Sequence, residues 1–159
     1  MNLAPAALRR ALILFIAAAG LLLAGCDYTV PLSAKPDRKI DERLLGEWIS
    51  PSSWMKVRRF DAENYVVYHN GTAFRAWHSP VAGLPLLTVQ ELESKPGSTK
   101  FAYLSYDVTG DGQRLNLRVV RDEVVSKKIN DTAAMRQAVE QHARHPELLT
   151  EEIPFSRMK

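Results

Sequence analysis

The chain has 159 residues, 46% of them hydrophobic and 25% charged, an ordinary globular composition that excludes collagen-like, disordered and multi-pass membrane classes. Its formal charge of +3 includes Arg9 and Arg10 of an N-terminal leader; the remainder carries 19 basic and 18 acidic side chains. So balanced a domain gives no support to nucleic-acid binding through counterion release. The 134 residues beyond position 25 suffice for one domain with a real core, without metals or disulfides.

The leader comes first. Arg9 and Arg10 close a short positive region, and residues 11–24 are then unbroken apolar or small residues. Fourteen residues make about 21 Å of helix at 1.5 Å each, short of the roughly 30 Å hydrocarbon core. The run therefore fits the apolar stretch of a signal peptide better than a membrane span.

It ends in Leu23-Ala24-Gly25-Cys26. This box resembles the lipobox of bacterial lipoprotein precursors. The resemblance implies that the Cys26 thiol takes a diacylglycerol, that the leader 1–25 is cut between Gly25 and Cys26, and that the new amino group is acylated. Two or more acyl chains anchor a protein stably where one does not. Asp27 follows directly and resembles the inner-membrane retention signal of enteric-type sorting. The expected location is the periplasmic face of the inner membrane, with the outer membrane as the alternative. Cys26 is the only cysteine, so lipidation would leave the exported domain without a disulfide.

Residues 26–43 read as a lipid-anchored flexible tether. Within them the sixteen residues 28–43 are polar, with Pro31 and Pro36, and a flexible chain of that length spans roughly 20–25 Å. Val30-Pro31-Leu32 is an apolar exception suited to docking on the domain that follows.

Residues 44–159 read as that domain. Period-two runs predict strands at 45–50, 54–60, 64–69, 72–78, 86–92, 101–108 and 114–120, separated by turn residues. Asn70-Gly71 is a strong two-residue hairpin signal. It pairs His69 with Thr72, Val67 with Phe74, Tyr65 with Ala76 and Glu63 with His78, and it puts Tyr65, Val67, Phe74 and Ala76 on one face. Arg114, Asn116 and Arg118 alternate with Leu115, Leu117 and Val119, whereas 86–92 is ambiguous in facing. A helix capped by Asp131 or Thr132 carries Met135, Ala138, Val139 and His142 on one stripe. It should end near Arg144, since Pro146 bars His145 from helical geometry. Residues 153–157 form a last short strand. The expected fold is mainly β: a small antiparallel meander or barrel of seven to eight strands, with one C-terminal helix packed outside.

This order resembles the lipocalin and calycin barrels, which have a Gly-x-Trp motif in the first strand and an arginine after the helix. Here Gly46-Glu47-Trp48 and Arg157 hold those places. The resemblance implies that Arg157 stacks on Trp48 within about 6 Å, a contact worth roughly 0.5–2 kcal/mol.

Motifs that carry chemistry are few. The hairpin register holds His69 and His78 about 20 Å apart along the sheet, too far to share a metal, and makes His78 a surface partner of Glu63. His142 and His145 share a helix face without a carboxylate or thiol beside them. Asp107 to Gly112 imitates the start of a calcium loop, but Arg118 stands where a glutamate is needed, and a hairpin turn is the better reading. No nucleophile elbow, zinc-protease motif, phosphate loop or dinucleotide fingerprint is present. No catalytic, cofactor-binding or metal-binding residue is therefore expected. The expected function is a non-catalytic β-domain, tied to the membrane and presented to an envelope protein partner. The alternative is a barrel that binds or transports a small apolar ligand.

Overall fold

The structure is a computed structural model and describes residues 28–92 and 99–159. Eight strands run in chain order around a closed antiparallel barrel. They are β1 (Gly46–Ser50), β2 (Ser53–Arg59), β3 (Asn64–His69), β4 (Thr72–His78), β5 (Leu86–Glu91), β6 (Phe101–Val108), β7 (Arg114–Val119) and β8 (Ile153–Arg157). The single α-helix among the described residues, α1 (Thr132–Gln141), sits between β7 and β8 in the chain. β8 closes the ring on β1 by pairing Arg157 with Trp48 and Ser156 with Ile49. The expected mainly-β barrel with one late helix is the fold observed. The strands at 64–69, 72–78, 101–108 and 153–157 have the predicted bounds, and the others differ by one residue at one or both ends.

The Asn70-Gly71 turn fixes the β3–β4 register. Both residues have positive φ, 48° and 86°, as this hairpin type requires. His69 faces Thr72, Val67 faces Phe74 and Tyr65 faces Ala76. Strand alternation then sends one set of side chains inward. Trp48, Met55, Val57, Tyr65, Phe74, Ala76, Leu87, Val89, Tyr106, Leu115, Leu117 and Phe155 form one buried cluster inside the barrel. These large side chains occupy its interior, as expected of an eight-stranded ring.

A second apolar cluster lies outside, on the wall made by β4, β5 and β6. Met135 and Val139 of α1 pack there with Trp77, Leu86, Phe101 and Tyr103. β5 is therefore buried on both faces, Leu86 and Thr88 outward and Leu87 and Val89 inward. This is why its facing is ambiguous in the sequence. Asp131 caps α1 by accepting from the Ala134 N–H at 2.8 Å. The helix ends at Gln141, short of the expected Arg144. The His142 N–H and its ring Nδ1 both address the Ala138 carbonyl, and the His145 N–H reaches back only three residues to His142. Such tight i→i+3 closure is a common way to finish a last turn.

The stretch expected to be a flexible tether differs most. From Tyr28 onward it is packed along the barrel wall. Tyr28 pairs with Phe101 through two backbone bonds, stacks on Tyr103 at 4.4 Å and donates its hydroxyl to the Val125 carbonyl. Leu32 is fully buried, in line with the docking expected of Val30-Pro31-Leu32. The Trp77 indole N–H donates to the Ser33 carbonyl at 3.0 Å, and Asp37 takes Arg136 of α1 as an ion pair. Two aromatic rings and a leucine set on an apolar wall outweigh the prolines and charges that make the segment read as a linker.

With the barrel axis vertical, the β1–β2, β3–β4 and β5–β6 turns mark the upper end. The β2–β3, β4–β5 and β6–β7 turns mark the lower. Residues 28–43 enter at the upper end beside Phe101 and descend the wall. They reach the lower end where the Ile40 N–H meets the Ala62 carbonyl. A 3-10 turn, Glu42–Leu44, then leads into β1. Among the described residues no helix is long and apolar enough to cross a membrane.

Candidate functional site

The residues singled out from the sequence fall into two groups. Gly25, Cys26 and Asp27 lie outside the described residues, as does the leader 1–25. Gly46, Trp48 and Arg157 are brought together at the lower end. The Arg157 guanidinium carbon lies 4.3 Å from the Trp48 ring centroid, within the expected 6 Å. Its three nitrogens donate to the carbonyls of Gly112, Leu45 and Arg43 at 2.6–2.7 Å. The Trp48 indole N–H donates to the Leu44 carbonyl at 2.9 Å. Gly46 has φ +140°, and a β-carbon there would collide with the Arg157 Nη1. Only glycine allows strand and guanidinium to approach this closely.

Beside this clasp lies an open cleft of about 620 Å³, lined by Arg38, Asp41, Arg43, His78, Tyr106 and Asp107 among others. Its floor is a hydrogen-bond chain that crosses the barrel. Arg38 donates to the Tyr106 hydroxyl at 2.7 Å. That hydroxyl lies 3.4 Å from Nδ1 of His78, and the Tyr65 hydroxyl lies 2.8 Å from Nε2. The Asp41 N–H donates to the Tyr65 oxygen at 2.5 Å. A neutral imidazole has one donor and one acceptor nitrogen, so one tyrosine receives a proton and the other gives one. His78 is completely buried, not the surface partner of Glu63. It follows Phe74 and Ala76 at even spacing, and closure of the barrel puts that whole row inside. The alternation already pointed inward at position 78. The Glu63–His78 pairing falls one residue beyond the end of the real ladder, which stops at Asn64 and Trp77.

Burial and neighbouring charges set the protonation of this hydrogen-bond chain. Burial, with help from Arg38, holds His78 down at about 4. Burial likewise pushes the Tyr65 and Tyr106 hydroxyls above their ordinary range. Asp41 is held below the usual carboxylate range, chiefly by Arg43, which donates from its backbone, Nε and Nη2. These shifts favour a neutral His78 and an ionised Asp41 near neutral pH, and the hydrogen bond from Asp41 to Tyr65 ties the 3-10 turn to the lower end.

The remaining histidines serve local structure. His69 shares a 2.6 Å hydrogen bond with Ser53 across β2 and β3. His145 accepts from the Glu147 N–H at 3.2 Å. The turn after Val108 is a hairpin, closed by the Thr109 N–H to the Arg114 carbonyl, with Asp111 accepting from Thr109 and Gln113. Among the described residues no three His, Cys, Asp or Glu side chains group as a metal site.

The chain matches no protein-family model, no curated protein and no solved structure.

Proposed function

We propose that the chain is a lipoprotein of the bacterial cell envelope that presents a non-catalytic β-barrel to a protein partner at the membrane surface. The observation that carries this is the sequence Leu23-Ala24-Gly25-Cys26 at the end of a 14-residue apolar run, holding the only cysteine of the chain. Acylation of Cys26 fixes the domain to a bilayer, and Asp27 favours retention at the inner membrane, facing the periplasm. The domain resembles a small lipocalin, with Gly46, Trp48 and Arg157 forming its closed end.

Presentation is favoured over transport of an apolar ligand by the occupancy of the barrel. Trp48, Tyr65, Phe74, Tyr106 and Phe155 are all buried within it. Cys26→Ser tests the anchor: the expected result is uncleaved precursor without incorporated fatty acid, and normal maturation of the variant would refute it. Cross-linking in intact cells should then capture an envelope protein on the exposed barrel. A lipid that stays with the purified protein in native mass spectrometry would favour the carrier reading instead.

A further inference from the structure

Six large apolar side chains stand exposed among the described residues. Phe60 and Met158 are at the lower end, each beside charged neighbours. The other four, Ile49, Trp54, Tyr68 and Leu92, are at the upper end. Ile49 and Trp54 face each other across β1 and β2. Tyr68 on β3 faces Lys56, which places it diagonally from Trp54 on the same outer surface, within reach of an aromatic side chain. Leu92 follows β5 and donates its N–H to the Ala73 carbonyl at the rim. The turns between these strands, Pro51-Ser52 and Asn70-Gly71, carry no charge.

The chain enters at the same end. Tyr28 is pinned to Phe101 at the start of β6, and Cys26 is two residues away. The described chain thus begins at the upper rim, and the two peptide units between Tyr28 and Cys26 span at most about 7 Å. In an eight-stranded ring β6 lies across from β2. Tyr28 and Trp54 therefore flank the barrel mouth on opposite sides, and a plane that touches both lies across the axis. Among the described residues the upper end also carries charge: Glu91 closes β5, Lys100 precedes β6, and Glu151 and Glu152 lead into β8 with Arg118 paired to Glu152.

We propose that Ile49, Trp54, Tyr68 and Leu92 seat the upper rim on the lipid bilayer that holds Cys26, so that the barrel stands upright with its charged lower end turned outward. The proposal rests on the acylation of Cys26. Tryptophan and tyrosine favour the headgroup level of a membrane, and an anchor two residues away holds them there at high effective concentration. The lower cleft with Arg38, Asp41 and Arg43 then becomes the face offered to a partner.

The test uses the full chain, matured in bacteria, weighed intact and reconstituted into phosphatidylethanolamine–phosphatidylglycerol vesicles. Trp48 and Trp77 are buried, so collisional quenching reports Trp54, and Trp54→Phe identifies its signal. The Trp54→Phe/Phe60→Trp double variant carries the reporter at the lower end instead. In the parent protein, lipids bearing a nitroxide near the headgroup should quench the signal, and iodide in the water should not. In the double variant the pattern should be reversed. An acylated protein whose Trp54 is open to iodide and untouched by the nitroxide lipid overturns the seat while leaving the anchor intact. A mature chain with no acyl mass overturns both.

Discussion

Arg157 and Trp48 are cross-strand partners at the seam where the barrel closes, with the guanidinium 4.3 Å above the indole. The same guanidinium collects the last carbonyls before β1 and the carbonyl of Gly112 in the β6–β7 turn. One side chain thus joins the first strand, the last strand and a hairpin. Arg157→Ala should destabilise the domain by about 2–4 kcal/mol, from the lost ring contact and charge-assisted hydrogen bonds. Arg157→Lys should recover little, since an ammonium cannot serve three divergent carbonyls and stack at once. Urea unfolding followed by tryptophan emission measures both. A loss below 1 kcal/mol in the alanine variant would show that the barrel closes without this clasp.

What could be read in advance depended on how local its cause was. The Asn70-Gly71 turn sets its register by backbone geometry alone, so the inward row Tyr65, Val67, Phe74 and Ala76 was legible. The Gly46, Trp48 and Arg157 group was legible through resemblance, although 109 residues separate Trp48 from Arg157. His78 was not, because its partners Tyr65 and Tyr106 come from β3 and β6, and only barrel closure brings them together. The course of residues 28–43 was missed for a related reason. Its apolar content is modest, and its binding wall exists only after β4, β5 and β6 have paired.

That docked segment gives a second prediction. The Tyr28 N–H is bonded to the Phe101 carbonyl and the Phe101 N–H to the Tyr28 carbonyl. Both amides should be protected in native-state hydrogen exchange, whereas a free tether would exchange at once. Tyr28→Ala should cost about 3 kcal/mol through the loss of a buried ring stacked on Tyr103. Tyr28→Phe keeps the ring, loses only the bond to Val125 and should cost about 1 kcal/mol. Unprotected amides at both positions would return the segment to a linker.

Acid should loosen the barrel before its carboxylates titrate. His78 ionises at about 4 in the folded chain against an ordinary value of 6.5. Between those values the unfolded state binds more protons. The contribution is therefore fully present above pH 6.5 and is lost as pH falls toward 4, up to about 3 kcal/mol. Burial depresses His69 too, in the same direction. Asp41 is lowered by Arg43 and acts only below the ordinary carboxylate value, so the two windows separate. Denaturant midpoints from pH 7.5 to 4.5 should fall steeply for the parent chain and less so for His78→Gln. Equal slopes would remove His78 from the account.

Occupancy of the interior separates a presented domain from a carrier. Phe74 sits on β4 at 4% exposure, beside Val67 in the ladder and within the inner cluster. Phe74→Ala should cost about 3–5 kcal/mol, because neighbours anchored in paired strands relax only partly into the gap. The space left would be apolar, and apolar cavities of that kind stay dry and admit small aromatic molecules. Benzene should therefore raise the melting temperature of Phe74→Ala and leave that of the parent chain unchanged. Binding to the stable state lifts melting in proportion to site occupancy, so the comparison needs no assumption about a natural ligand. A clear rise in the parent chain would mean that the barrel already holds room for a guest, and the carrier reading would displace the presenting one.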